Sequence, residues 1–416
     1  MGSHFLNAVP ALTWLLSPCK ALDIRSEVDL RSLLTSGQNL WHPNTTFEFP
    51  SDGQSFLDGT ERWTIFKPPT YSGVISVGNE EDVVAAVQLA VTHNVSFLAT
   101  GGRHGYGTTL GGLFGGLEID LGQLKSVVVD KSAATLTVGV GTTFADILDP
   151  AFEAGFQPPT GSCSCPGMVG VTLGAGVGRS SGVFGLVMDS LISVRVVFST
   201  GEHIEVSETK HPSLFWAIRG AGANFGIVTS ATYRLHNQSN NGQVVNVDFI
   251  FPAAMATAYF DALQSYNDNL PALHLPPSSH IMSLYRMWAQ MFANWVYLGT
   301  EQKAREVLAP LFNLKPPITS LSVVPWSKIL AVDGFQIDPL LCQRGIIRDL
   351  YSANVRVPSS STYQDTFIKM QSFYRQYSSA VESVIQVEVY PNQKTKSIPS
   401  DTTAYPWRDA QETCKE

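Results

Sequence analysis

Glycine is unevenly spread along this chain, and its placement limits the fold more than any other feature. The densest runs lie between residues 101 and 226: Gly101-Gly102-Arg103-His104-Gly105-Tyr106-Gly107, the stretch from Gly161 to Gly185, and Arg219-Gly220-Ala221-Gly222-Ala223-Asn224-Phe225-Gly226. Glycine admits backbone angles closed to other residues and lets successive amide groups come close to a bound anion. The first run follows the strand-like segment Ser96 to Thr100, and the third leads into the strand-like IVTSATYRL. Repeated junctions of this kind describe an α/β region that builds a ligand surface from loops.

The surrounding pattern supports that reading. Val74 to Val77 reads as a strand, Asn79 as a helix N-cap, and Glu80, Glu81 and Asp82 as an acidic first helical turn. Val83, Val87, Ala90 and Val91 then recur at helical spacing. Leu117 to Leu121 is another strand, and apolar residues alternate around Asp130-Lys131-Ser132 as in a hairpin. Thr143 to Asp146 suits a capping box, Thr200-Gly201 a second hairpin turn, and Pro212 the start of a short helix. After the polar segment 238–243 glycine thins out, and helix-like AAMATAYFDALQSY and TEQKAREVLAPLF alternate with strand-like FANWVYL and VIQVEVY. A domain boundary is expected near residue 240.

Composition narrows the function. Apolar residues make up 44% of the 416 and charged residues 15%, enough to bury a large interior in two lobes or more. Lys plus Arg number 27 against 35 Asp plus Glu, a net charge of −8, and no basic run is present to track nucleic acid. No apolar stretch beyond the N-terminus is long enough to cross a bilayer. Residues 1–22 read as a signal peptide, and acceptor tripeptides for N-glycosylation stand at Asn44, Asn94 and Asn237. Secretory passage is therefore expected, with a cytoplasmic location as the alternative. The cysteines, Cys19, Cys163, Cys165, Cys342 and Cys414, are odd in number and sparse, which does not suggest a disulfide framework. Cys163 and Cys165 lack the second pair that a zinc site needs, so no metal is expected, and Cys165 reads as a small buried apolar residue.

Two segments can carry chemistry. The Gly101–Gly107 loop offers amide groups, the charge of Arg103, and His104 as a nucleophile, base or covalent tether; a tight turn with a solvated histidine is the alternative. In the second run, Gly174-Ala175-Gly176 hints at a dinucleotide fingerprint but follows no strand. Gly178-Arg179-Ser180-Ser181-Gly182 matches the nucleophile elbow of serine hydrolases without the strand and helix that flank one.

GGRHGYG, SCSCPGMVGVTLGAGVG, LISVRVVFSTGE and FWAIRGAGANFGIVTS occur here in one order. Together they resemble the oxygen-dependent FAD-linked oxidoreductases, the berberine-bridge-enzyme-like flavoproteins with a PCMH-type FAD domain, most closely fungal members of secondary metabolism. The resemblance implies an α+β fold: a two-subdomain FAD-binding domain over 62–236, preceded by an extension over 23–61, and an α/β substrate domain with a mainly antiparallel sheet over 244–416. It implies His104 as the tether to the flavin 8α-methyl group, with Gly101, Gly102, Arg103 and Gly105 cradling the diphosphate. Cys163, not Cys165, takes the place of a second tether at flavin C6. Gly170, Gly174 and Gly176 are placed along the isoalloxazine and ribityl chain, and the Ile227 backbone at the adenine.

The implied reaction is hydride transfer from a small polyketide or alkaloid intermediate to FAD, with O2 as acceptor. The base is expected on the substrate lobe, where Tyr285, Tyr297, Glu388 and Tyr390 are candidates. Relatives continue beyond TTAYPWRD to a segment that returns to the FAD domain, whereas this chain stops after AQETCKE, so it reads as C-terminally truncated. A non-catalytic relative and an FAD-containing cyclase are the alternatives.

Overall fold

The computed structural model describes residues 29–36, 41–269, 278–285, 290–356, 359–380, 382–410 and 412–415. Residues 1–22, expected as a leader, lie outside that set, as does Cys19.

The N-terminal half holds a four-stranded sheet, a five-stranded sheet and a two-stranded pair of Phe156–Gln157 with His236–Asn237. Tyr71–Ser76, Gly116–Asp120 and Phe97–Thr100 pair in parallel, with Thr46–Glu48 antiparallel at one edge. The crossover helix Glu80–Thr92 is capped by Asn79, whose side chain accepts from the Asp82 amide, and its acidic first turn suits the helix dipole. The second sheet is antiparallel, in the order Val127–Asp130, Thr135–Gly139, Ile227–Arg234, Leu191–Val197 and His203–Ser207. The capping box at Thr143 is present, the Thr143 amide donating to Asp146 Oδ2 at 2.8 Å. One apolar core, including Ile75, Val87, Ile119, Val138, Phe144 and Val194, fills the space between these sheets and their helices.

The C-terminal half is built on a seven-stranded sheet whose pairings are all antiparallel. Alternation along its strands gives it two unlike faces. Val245, Val247, Phe249, Trp295, Tyr297 and Val387 pack against helices that include Ala256–Asn269 and Ser360–Gln376. The opposite face carries buried Asn246, Asp248, Asn294 and Glu388 and is turned toward the glycine-rich loops. Buried polar groups need hydrogen-bond partners, and the first three of these bond one another. Asn294 donates to Asp248 Oδ1 at 2.6 Å and to Asn246 Oδ1 at 2.7 Å, and Asn246 donates to Asp248 Oδ2 at 2.8 Å.

The TTAYPWRD segment docks back on the first half. Arg408 and Asp189 form a buried two-bond ion pair at 2.8 and 3.1 Å, and Arg219 donates to the Thr402 carbonyl at 3.0 Å.

Candidate functional site

The two glycine loops pack backbone to backbone. A Cβ on Gly102 would stand 2.8 Å from the Gly167 amide nitrogen, and one on Gly101 would stand 2.9 Å from the Val140 carbonyl oxygen. Side chains at these positions would force the loops apart. Gly170 and Gly174, one turn apart on the Met168–Gly174 helix, have open space where a Cβ would be. They leave a bare patch of backbone against which a flat ligand can lie. Gly176 differs: its φ is +80°, and a Cβ there would meet Val187 at 2.4 Å, so it serves the packing of the loop. Ile227 opens the Ile227–Arg234 strand and is buried in the core.

Arg103 takes an unexpected direction. Its guanidinium turns away from the loop and into the parallel sheet, 2.8 Å from Glu118 Oε1 and 3.2 Å from Asp120 Oδ2. Burial raises the pKa of Glu118, and Arg103 works against that rise. The side chain thus anchors the loop to the parallel sheet.

The His104 imidazole stacks on the Trp63 indole, centroids 4.3 Å apart at 20°, and the Arg348 guanidinium lies 4.4 Å from the centre of the same indole. His104 Nε2 is 3.5 Å from Cys165 Sγ, and the ligating atoms of His104, Cys163 and Cys165 all lie within 4.8 Å of one another. The structure thus brings His104 and Cys163, the two residues expected as tethers, close together.

Cys165 corrects the sequence reading. It is bonded to Cys342, 177 positions away, and is not a small isolated apolar residue. The odd cysteine count and the long separation concealed this pair.

Cys342 belongs to a segment over 338–348 that lies along the glycine loops. Asp338 accepts from the Ser164 amide at 2.8 Å and from its hydroxyl at 2.6 Å. The Leu341 carbonyl accepts from Trp63 Nε1 at 2.6 Å, and Arg344 donates to the Gly102 carbonyl at 3.4 Å.

Across from these loops stands Glu388, 3% exposed, with Ser162 Oγ donating to its Oε1 at 3.4 Å and Gln386 at 2.8 Å. Tyr390 is buried beside it, and burial together with the Glu388 charge pushes its phenol well above the ordinary range. Both line a recess with Val177, Leu186, Tyr405 and Trp407. Tyr297 faces the helices instead, away from the loops. The Tyr285 side chain lies outside the described residues. Arg179, also buried, reaches across to Asp333 at 2.6 Å. Burial lifts Asp333 to about 6, with Arg179 opposing. Ser180 is buried in a loop and follows no strand, so the arrangement of a nucleophile elbow is missing there.

Residues 71–207 match the family model described as an FAD binding domain. FAD-linked oxidoreductase fogF of Aspergillus ruber is 44% identical over 412 residues, covering 99% of this chain and 81% of that protein. FAD-linked oxidoreductase srdI of Neurospora crassa is 38% identical, covering 95% of this chain and 78% of its own length. Among solved structures, BBE-like 1 of Physcomitrella patens superposes with a TM-score of 0.78 at 23% identity, over 93% of this chain and 82% of that one. A xylooligosaccharide oxidase from Myceliophthora thermophila gives 0.71 at 22% identity, over 88% and 78%. These structures share the fold. The bare glycine patch, the close loops and the histidine beside them fit an FAD.

Proposed function

Because the chain belongs to the fungal berberine-bridge-enzyme-like FAD-linked oxidoreductases, we propose that it oxidises a small organic intermediate of secondary metabolism on covalently held FAD, with O2 as acceptor. The bound flavin supplies the hydride acceptor. Its diphosphate is held by the amides of Gly101, Gly102, Arg103 and Gly105, and its ring lies along Gly170 and Gly174. His104 forms the tether, and Cys163 a second one.

Glu388 takes the substrate proton. It is the ionisable carboxylate that lines the recess, and Ser162 and Gln386 hold its Oε1 in place. Tyr390, Tyr405 and Trp407 give that recess aromatic walls, which suit a neutral aromatic or alicyclic alcohol. The observation that carries the reading is the meeting of His104 and Cys163 at one end of the bare glycine patch.

The Cys165–Cys342 disulfide and the exposure of Asn44, Asn94 and Asn237 support passage through an oxidising secretory compartment. The test of the activity is anaerobic addition of candidate alcohols to the purified protein. Loss of flavin absorbance, followed by peroxide when air is admitted, supports the reading. Substrate turnover with no flavin bleaching contradicts it.

A further inference from the structure

The disulfide places three sulfurs and an imidazole in one cluster, which is more than either a structural cross-link or a flavin tether requires. Cys163 Sγ and Cys165 Sγ lie within 4.8 Å of each other, and Cys165 Sγ is bonded to Cys342 Sγ. His104 Nε2 stands 3.5 Å from Cys165 Sγ. On its other side, Cys342 Sγ has Asp338 Oδ1 and Ser164 Oγ each at 3.7 Å. These are the parts of a thiol–disulfide exchange: an attacking thiol, a base within reach, and polar groups to receive the thiol that leaves.

We propose that Cys165–Cys342 is an exchangeable clasp opened by Cys163, and that it fastens residues 338–348 over the Gly101–Gly107 loop. In the exchange Cys163 gives its proton to His104, and the thiolate attacks Cys165 Sγ. The Cys163–Cys165 bond forms as the Cys165–Cys342 bond breaks, and the electron pair leaves on Cys342, which is then protonated. One disulfide replaces another, so no outside oxidant or reductant enters the balance.

Opening frees the 338–348 segment from its covalent anchor; around Cys342 it is then held by the bonds from Trp63 to Leu341 and from Ser164 to Asp338, while residues 344–348 stay tied by Arg344 to Gly102 and by backbone bonds to Arg62 and Ile65. Such bonds are each worth about 1 kcal/mol, with those to charged groups somewhat stronger, and they break and reform readily. The part of the segment around Cys342 can then move away from His104 and admit a cofactor. This last role rests on reading His104 and Cys163 as the flavin tethers. On that reading a flavin bonded to Cys163 removes the attacking thiol and locks the clasp shut over the loaded site.

Disulfide mapping by mass spectrometry, after acid quenching and alkylation under non-reducing conditions, tests the exchange. The Cys342→Ser protein, treated with glutathione disulfide as oxidant, is expected to contain a Cys163–Cys165 bond. The Cys163→Ser protein, which keeps the native clasp, is expected to alkylate at Cys342 at least about tenfold more slowly than flavin-free full-length protein. Finding Cys163 and Cys165 both alkylated in Cys342→Ser, or equal rates at Cys342 in Cys163→Ser and the parent, overturns the proposal. The mapping reads sulfur pairing whether or not flavin is bound. Exchange in a protein that never binds flavin keeps the clasp and defeats the tether reading, whereas flavin bonded to Cys163 in the loaded protein, with no exchange in the flavin-free one, does the reverse.

Discussion

The His104 imidazole and the Trp63 indole lie parallel within 20°, 4.3 Å between centroids, and Trp63 reaches past the histidine to donate from Nε1 to the Leu341 carbonyl. Trp63 therefore fixes the plane of the imidazole on one side and the 338–348 segment on the other. Replacing Trp63 by Phe keeps a ring against His104 and removes the Nε1 bond, with an expected loss of about 1 kcal/mol in chemical denaturation. Replacing it by Ala removes the stack as well. Flavin incorporated per chain, read from the ratio of flavin to protein absorbance, is expected to fall in Ala and to hold in Phe.

Arg103 is expected to act through Glu118. With Arg103 changed to Gln, the fully buried Glu118 carboxylate keeps only its bond from Thr100, and the predicted loss is about 3–5 kcal/mol. The double variant R103Q/E118Q should regain most of it. A single variant that denatures like the parent but binds FAD poorly would show that the guanidinium serves the diphosphate directly.

Much of this arrangement was legible in the residues, and the reason is distance along the chain. The Asn79 and Thr143 caps, the glycine loops and the strand at Ile227 are set by neighbours a few positions apart, where turn and cap chemistry decides the conformation. The direction of Arg103 depends on Glu118 and Asp120 on another strand, and the partner of Cys165 lies 177 positions away. Neither leaves a local trace. Alternation puts Glu388 and Tyr390 on one face of their strand, but only packing reveals that this face meets the loops while Tyr297 meets the helices.

Glu388→Gln is predicted to lower kcat by about a hundredfold or more while the flavin spectrum stays as in the parent. Tyr297→Phe should leave kcat near the parent value, since that phenol faces the helices. Steady-state kinetics on an identified substrate compares the two. An equal loss in both variants would remove Glu388 from its role.

Asp333 gives the fold a predictable pH dependence. Its carboxyl titrates at about 6 in the folded chain, above the 3.8 of a free aspartate. A raised carboxyl pKa contributes stability that is full below the unfolded value and is lost as pH rises through the folded one. This group therefore withdraws up to about 3 kcal/mol between pH 4 and 6. Asp333→Asn should lack that component of the slope when denaturation midpoints are compared across the window. Identical slopes would mean that Arg179 holds Asp333 ionised throughout.

Retention of flavin after acid precipitation tests the central claim most directly. The account predicts yellow flavin absorbance in the pellet of the parent protein. In His104→Ala it predicts flavin released to the supernatant, or retained solely through Cys163 and lost when both residues are changed. Flavin that stays in the pellet of the double variant, or that leaves the parent protein entirely, would contradict it.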